Sequence, residues 1–256
     1  RYRFVFSGDP KSLPDYAGSA WRGAFGHSLK RAVCVTRLPR CPECLLYRSC
    51  AYPYIFETPP APDSAKMRRY PAAPHPFVVQ TSLEQNADAH PERVELGVNL
   101  FGQANRYLAY VVYALQRAGA EGIGKGRAAL SLNAVQQSLS LSDVWQTIYE
   151  PDGALGALPV SLPEIPSPPG IIKVRLLTPL RIHRQDSLVS EGDLTFSDLF
   201  NVLLRRISML TYFHTDTPLE TDFKGLVEQS RTISLSDKNL RWYDWTRYSS
   251  RQKTAM

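Results

Sequence analysis

Apolar and polar residues alternate along Arg1-Tyr2-Arg3-Phe4-Val5-Phe6, which places Tyr2, Phe4 and Phe6 on one face of a strand. After the turn residues Gly8-Asp9-Pro10 the period changes. Ala17, Trp21, Ala24, Phe25 and Ala32 recur at three- and four-residue spacing and predict a helix from about Ala17 to Val33. Arg93 to Asn99 reads as a strand, Ala104, Tyr107, Leu108, Val111, Val112 and Leu115 mark a second helix, and Leu130, Leu132 and Ala134 mark a strand behind it. The order strand, helix, one or more strands, helix, strand suits a ferredoxin-like βαββαβ unit of an α+β protein.

Two clusters hold much of the proline, Pro53 to Pro76 and Pro151 to Pro169. The second has almost no charge and no helical period, so it reads as a linker ending at Gly170. The expected division is a first domain over 1–150, a linker over 151–170 and a second domain over 171–256. The same order then starts again. Ile171 to Leu177 alternates as a strand, and a helix from Phe196 to about Phe213 opens with Thr195 and Asp198 at capping-box spacing. Its expected buried stripe is Phe196, Leu199, Phe200, Leu203, Ile207 and Leu210, and Arg231 to Leu235 and Leu240 to Tyr248 follow as strand-like runs. The expected fold is therefore tandem ferredoxin-like (RRM-like) domains, the second lacking its final helix and strand before Met256.

With 43% hydrophobic and 21% charged residues, the chain can bury a core and is not a disordered polymer. No window approaches 18 uninterrupted apolar residues and no charged-then-apolar leader opens the sequence, so neither a membrane span nor a secretory signal is expected, and a cytoplasmic protein is. The net charge of +6 favours an acidic partner. Its distribution sharpens that: residues 1–80 carry 12 basic against 5 acidic side chains, 81–170 carry 5 against 9, and 171–256 carry 13 against 10.

All four cysteines, Cys34, Cys41, Cys44 and Cys50, fall within 17 residues as C-x6-C-x2-C-x5-C, inside an insertion over 34–56. A Cys-x2-Cys turn offers two thiolates to one ion, and two more cysteines complete a tetrahedral site. Structural zinc is the leading reading; an iron–sulfur cluster, disulfides and free thiols are the alternatives. Four thiolates leave no open position for water, so such a zinc would staple the insertion and would not catalyse.

On the first helix, Ser19, Gly23, Gly26, His27, Lys30 and Arg31 share an arc of roughly 140° opposite the Trp21/Phe25 face. Two glycines inside a helix cost on the order of 1 kcal/mol each, usually offset by the close approach of another backbone. The arc fits a phosphate backbone lying beside an imidazole and two cations; a solvated basic face whose glycines pack against a neighbouring strand fits it equally. The run Gly119-Ala120-Glu121-Gly122-Ile123-Gly124-Lys125-Gly126-Arg127 interleaves glycines with Lys125 and Arg127 and suits phosphates, or is simply a long turn. Near the C-terminus, Arg241, Trp242, Tyr243, Trp245, Arg247, Tyr248, Arg251 and Lys253 mix aromatic and cationic side chains as a single-strand or RNA surface does, with core packing as the competitor for Trp242 and Tyr243. Arg205 and Arg206 lie off the core stripe of their helix. His75, His90, His183 and His214 lack ligand spacing and read as surface residues, and no serine-hydrolase, zincin or paired-carboxylate motif occurs.

Leu13-Pro14-Asp15-Tyr16-Ala17-Gly18-Ser19-Ala20-Trp21-Arg22-Gly23-Ala24-Phe25-Gly26-His27, the Cys-rich insertion running into Cys50-Ala51-Tyr52-Pro53-Tyr54-Ile55-Phe56-Glu57, Gly122-Ile123-Gly124-Lys125-Gly126-Arg127, and Arg247-Tyr248-Ser249-Ser250-Arg251-Gln252 together resemble the CRISPR repeat-processing endoribonucleases of the RAMP superfamily. The resemblance implies two tandem ferredoxin-like domains and cleavage of precursor CRISPR RNA within each repeat. It also implies retention of the product's 3′ hairpin and association with other effector-complex subunits. Such enzymes need no catalytic metal: the RNA 2′-hydroxyl attacks the adjacent phosphate and leaves a 2′,3′-cyclic phosphate and a 5′-hydroxyl. On this resemblance His27 is the candidate base or acid, Lys30, Arg31 or Arg22 would stabilise charge, Tyr16 would assist, and Arg247 and Arg251 are rival charge stabilisers. The family's second glycine-rich loop, near the C-terminus, has no counterpart in the sequence through Met256.

Overall fold

The computed structural model describes residues 1–14, 17–66, 72–81, 92–139, 144–159, 164, 165, 167 and 169–244, with the backbone of 248–249 and 254–255. The chain is α+β and divides into two compact units, 1–174 and 175–256.

In the first unit β1 (Tyr2–Ser7), α1 (Gly18–Val33), β2 (Phe77–Thr81), β3 (Arg93–Leu100), α2 (Leu108–Glu121), β4 (Ser131–Ser138) and β5 (Trp145–Tyr149) follow one another. The strands form one antiparallel sheet in the order β2-β3-β1-β4-β5. The expected strand–helix–strand–strand–helix–strand order is thus present, with β2 and β3 as its two middle strands and β5 as an addition to it. Alternation explains the register: Phe4 lies opposite Leu96 on one side and Val135 on the other, and all three are wholly buried. The same face carries Phe6 and Val98, onto which α1 lays Trp21, Phe25 and Leu29 and α2 lays Val111, Leu115 and Ala118.

The proline-rich segment is not wholly a linker. Gly156 donates to the Ile148 carbonyl at 2.8 Å, and Gln137 holds Leu158 by both its amide nitrogen and its amide oxygen, each at 3.0 Å. Leu155 and Leu158 pack on the first core, so the first unit extends past residue 150.

The second unit departs further from expectation. Residues 171–177 are exposed and form no strand, because alternation specifies a face but a strand needs a hydrogen-bonded neighbour. A short hairpin, β6 (His183–Arg184) with β7 (Ser187–Leu188), comes next. The helix α3 (Phe196–His214) has the predicted start: Thr195 and Asp198 form a reciprocal capping box. The predicted buried stripe is a correction. Of its members Leu210 is buried and Phe196, Leu199 and Phe200 are partly buried, but Leu203 and Ile207 are half exposed and Ser208 and His214 are buried instead, because a helical period names a face while burial needs an element packed on it. His214, read as a surface residue, is 1% exposed. Arg231 to Leu235 forms no strand; the helix α4 (Phe223–Ser230), capped by Asp222 at 2.9 Å to the Gly225 amide, precedes it. Described residues 240–244 form no strand, 245–247 lie outside the described residues, and the backbone of β8 (Tyr248–Ser249) pairs with β9 (Thr254–Ala255).

Arg184 also grips the capping carboxylate, its Nε lying 2.8 Å from Asp198 Oδ1, and this ion pair holds the Asp198 carboxyl well below the usual carboxylate range. A depressed pKa gives stability that is complete above the unfolded value, about pH 4, and is lost as pH falls through the folded one. Asp198→Asn should therefore cost about 1–2 kcal/mol at neutral pH. Circular-dichroism melts at pH 7 and in acid should show the variant and the native chain converging as the carboxyl protonates.

Candidate functional site

Three sequence features meet around α1. The exposed side of this helix is narrower than the helical wheel implies: Ser19, Gly23, His27 and Arg31, at steps of four, are exposed. Gly26 is buried, and a methyl group there would sit 2.9 Å from the Phe56 ring. That ring is fixed by Phe25, Tyr52 and Phe77, with centroids 5.0–5.6 Å apart. Gly26 therefore answers to the Cys-rich insertion, whereas a methyl at Gly23 would meet nothing within 4 Å. Among the described residues the structure gives no internal reason for Gly23.

The cations expected beside His27 are engaged elsewhere. Lys30 leans toward the insertion, donating to the Pro39 carbonyl at 3.4 Å and lying 5.4 Å from the Tyr52 ring. Arg31 pairs with Glu121 at 2.9 Å, and the other oxygen of Glu121 takes Arg117 at 2.9 Å. Arg22 lies over the Phe77 and Phe56 rings at 4.9 and 5.4 Å. His27 itself is exposed and has no hydrogen bond or ion pair among the described residues. Tyr16 lies outside the described residues.

The glycine-rich run is a tight turn. Gly122 and Gly124 adopt φ of +99° and +72°, and Ile123 and Ala128 bridge by two bonds of 2.9 and 3.0 Å that bury Ile123. The amides of Gly122, Ile123, Arg127 and Ala128 are used inside the turn, and Arg127 curls back onto the Glu121 carbonyl at 3.3 Å. Lys125 stands exposed at the tip. This tip touches the approach to α1: a methyl at Gly124 would lie 3.3 Å from Pro14 and 3.9 Å from Ala20. The turn and the first half of α1 therefore form one surface, on which Lys125, Ser19, Gly23 and His27 are accessible.

At the other end of α1 the four cysteines line one recess together with Lys30, Tyr47 and Tyr52. Cys34 follows the last turn of α1, and Cys41 and Cys44 bracket a 3-10 turn closed by the Cys44 amide on the Cys41 carbonyl at 2.9 Å. Cys50 donates its amide to the Leu46 carbonyl at 2.8 Å. All four thiols are free, which removes the disulfide alternative for this structure. Burial pushes the Cys41 thiol up to about 11, aided by its hydrogen bond to Glu57, and burial raises Cys50 as well. The donor set suits a four-thiolate ion in kind, yet among the described residues no group of three or more His, Cys, Asp or Glu side chains is gathered so as to hold a metal.

In the second unit Arg205 is exposed, and Arg206 is half buried, with its pKa lowered by desolvation. Trp242 and Tyr243 are about half exposed, and Trp242 donates to Asp244 at 2.9 Å. Trp245, Arg247, Arg251 and Lys253 lie outside the described residues, as does the side chain of Tyr248. Among the described residues no helix is long and apolar enough to cross a membrane.

The family model described as AF_1859_N, N-terminal domain, matches residues 1–160, which contain α1, the cysteine recess and the glycine-rich turn. The chain belongs to that family. An uncharacterized protein of Archaeoglobus fulgidus is 30% identical over 112 residues, covering 43% of this chain and 37% of that relative. The chain thus spans well under two thirds of the relative it matches. No solved structure matches the chain.

The two helical glycines should respond oppositely to a methyl group. Gly23→Ala should stabilise the fold by about 1 kcal/mol. Gly26→Ala should lose that gain to the Phe56 clash and melt no higher than the native chain; thermal melts of both variants check this.

Proposed function

We propose that this protein processes precursor CRISPR RNA, cutting within repeats as a metal-independent endoribonuclease and retaining the 3′ hairpin of its product. The observation that carries the reading is the exposed line Ser19, Gly23, His27 beside the Lys125 turn, since it leaves an imidazole, a backbone without side-chain cover and a cation open to a phosphate backbone. In this reading the 2′-hydroxyl loses its proton as its oxygen bonds to phosphorus, the P–O5′ bond breaks, and the leaving 5′-oxygen takes a proton. His27 serves one of these two transfers, and Lys125 with Arg22 or Lys30 holds the phosphate charge. The strand and helix order of the first unit suits a ferredoxin-like domain, and the second unit is read as its tandem partner. Arg205, Arg206 and the basic, aromatic stretch from Arg241 to Lys253 extend the RNA contacts, as the composition of these segments supports.

One observation favours a second reading, a non-catalytic crRNA-binding subunit of an effector complex. Arg31 is paired with the Glu121 carboxylate and Arg127 donates to the Glu121 carbonyl, so two of the cations expected to hold phosphate are engaged within the fold. The two readings separate in one assay. Repeat RNA mixed with the protein in EDTA should give a single cut with a cyclic phosphate end, at a rate that falls at least about 100-fold in His27→Ala. Tight hairpin binding with a steep salt dependence and no cut supports the binding subunit.

The cysteine recess is read as a structural zinc site, with an iron–sulfur cluster as the alternative. Cys34, Cys41, Cys44 and Cys50 would hold the ion, and its chemistry would be to staple the insertion, and through Phe56 the Gly26 side of α1. Metal analysis of the purified protein should find about one zinc per chain, and Cys41→Ser should lower both the metal content and the melting temperature. Finding neither zinc nor iron would remove the site.

A further inference from the structure

The sheet of the first unit has a second face, turned away from α1 and α2. Register places Arg3, Gly97 and Gln136 side by side across β1, β3 and β4, with Gln80, Thr147 and Trp145 on the flanking strands. Gln80 and Thr147 are exposed, as is Val78, so solvent reaches this face from both edges. At its β4–β5 side, Arg3 lies 4.1 Å and Arg1 5.3 Å from the centre of the Trp145 ring. Glu95 supplies the one acidic group in the described ion pairs here, 3.5 Å from Arg3 and also paired with Arg93.

On the same face are two buried polar atoms that have no hydrogen-bond partner among the described residues, Trp145 Nε1 and Gln136 Oε1. One is a donor and the other an acceptor. Gln136 is the register partner of Thr147 and Trp145 that of Ser138, so the two side chains are diagonal neighbours on one face. Leaving two such atoms unpaired is costly, and their pairing by a ligand recovers that cost.

We infer that Trp145 is a stacking site for single-stranded RNA. A base takes the place of the Arg3 guanidinium on the ring, and Arg1 and Arg3 move to the flanking phosphates. The ribose 2′-hydroxyl, which is both donor and acceptor, takes the orphan pair Trp145 Nε1 and Gln136 Oε1. Charge fits this occupant, because two guanidinium groups, those of Arg1 and Arg3, already lie over an aromatic face. The inference rests on the RNA-processing reading only for the class of polymer; the surface lies on the other side of the sheet from α1 and His27.

The test uses the full chain and a ten-nucleotide oligouridine, which carries no repeat hairpin. The native protein should bind the RNA more tightly than the deoxy oligomer, and ultraviolet cross-linking should map to Trp145. Trp145→Ala should weaken RNA binding about tenfold or more, Trp145→Phe should retain most of the affinity, and Gln136→Leu should erase the preference for RNA over DNA. Native-like affinity in Trp145→Ala, or cross-links confined to other residues, would overturn the site; should that variant fail to fold, the cross-link position in the native chain decides. Repeat cleavage that survives in Trp145→Phe while oligouridine fails to bind the native chain sinks this site and leaves the processing reading standing. Oligouridine bound at Trp145 by a protein that neither cuts nor binds repeat hairpins does the reverse.

Discussion

Phe25 and Phe77 meet edge to face with centroids 5.5 Å apart, and Phe56 wedges against both at 5.0–5.1 Å. This aromatic clasp joins three parts of the chain: helix α1, sheet strand β2 and the segment that follows the last cysteine. Each ring brings a large apolar area out of water, and aromatic truncations in such settings cost about 3–5 kcal/mol. Because Phe56 occupies the space a Gly26 side chain would need, the clasp also fixes how α1 rotates about its axis. With Trp21, Phe25 and Leu29 turned inward, Ser19, Gly23, His27 and Arg31 have to face outward. The outward line and the cysteine recess are therefore two consequences of one packing arrangement.

Legibility followed the range of the interactions. The capping box of α3 was readable because Thr195 and Asp198 are three residues apart and need no other part of the chain. The order of the first unit was readable for a similar reason, since each strand and helix carries its own period. Ile171 to Leu177 has the strand period too, but pairing is a long-range property that alternation does not contain. Helix α4 was missed although Asp222 supplies a cap and Phe223, Leu226 and Val227 a helical spacing.

The candidate site divided along the same line. Four clustered cysteines announced a recess, but how closely the thiols gather is set by the whole insertion. The wheel of α1 put Gly26 and Lys30 beside His27, because a wheel cannot register Phe56 arriving thirty positions later. Arg31 read as a free cation because its partner, Glu121, lies 90 residues away at the end of α2. The Glu121 carboxylate ties α1 to α2, and the main-chain carbonyl of the same residue takes Arg127, so two cations beside the α1 surface are engaged at one position. The setting of Trp145 is not legible from its own segment because its arginine partners sit at the opposite end of the unit's sequence, Arg1 just before β1 and Arg3 on it.

The central claim is that the first half of α1 and the glycine-rich turn act as one RNA-facing surface. Hydrogen–deuterium exchange of the full chain, with and without saturating repeat hairpin RNA, addresses it directly. The account predicts slowed exchange in residues 18–27 and 122–127 together. Binding of the hairpin with exchange unchanged in both segments would contradict it.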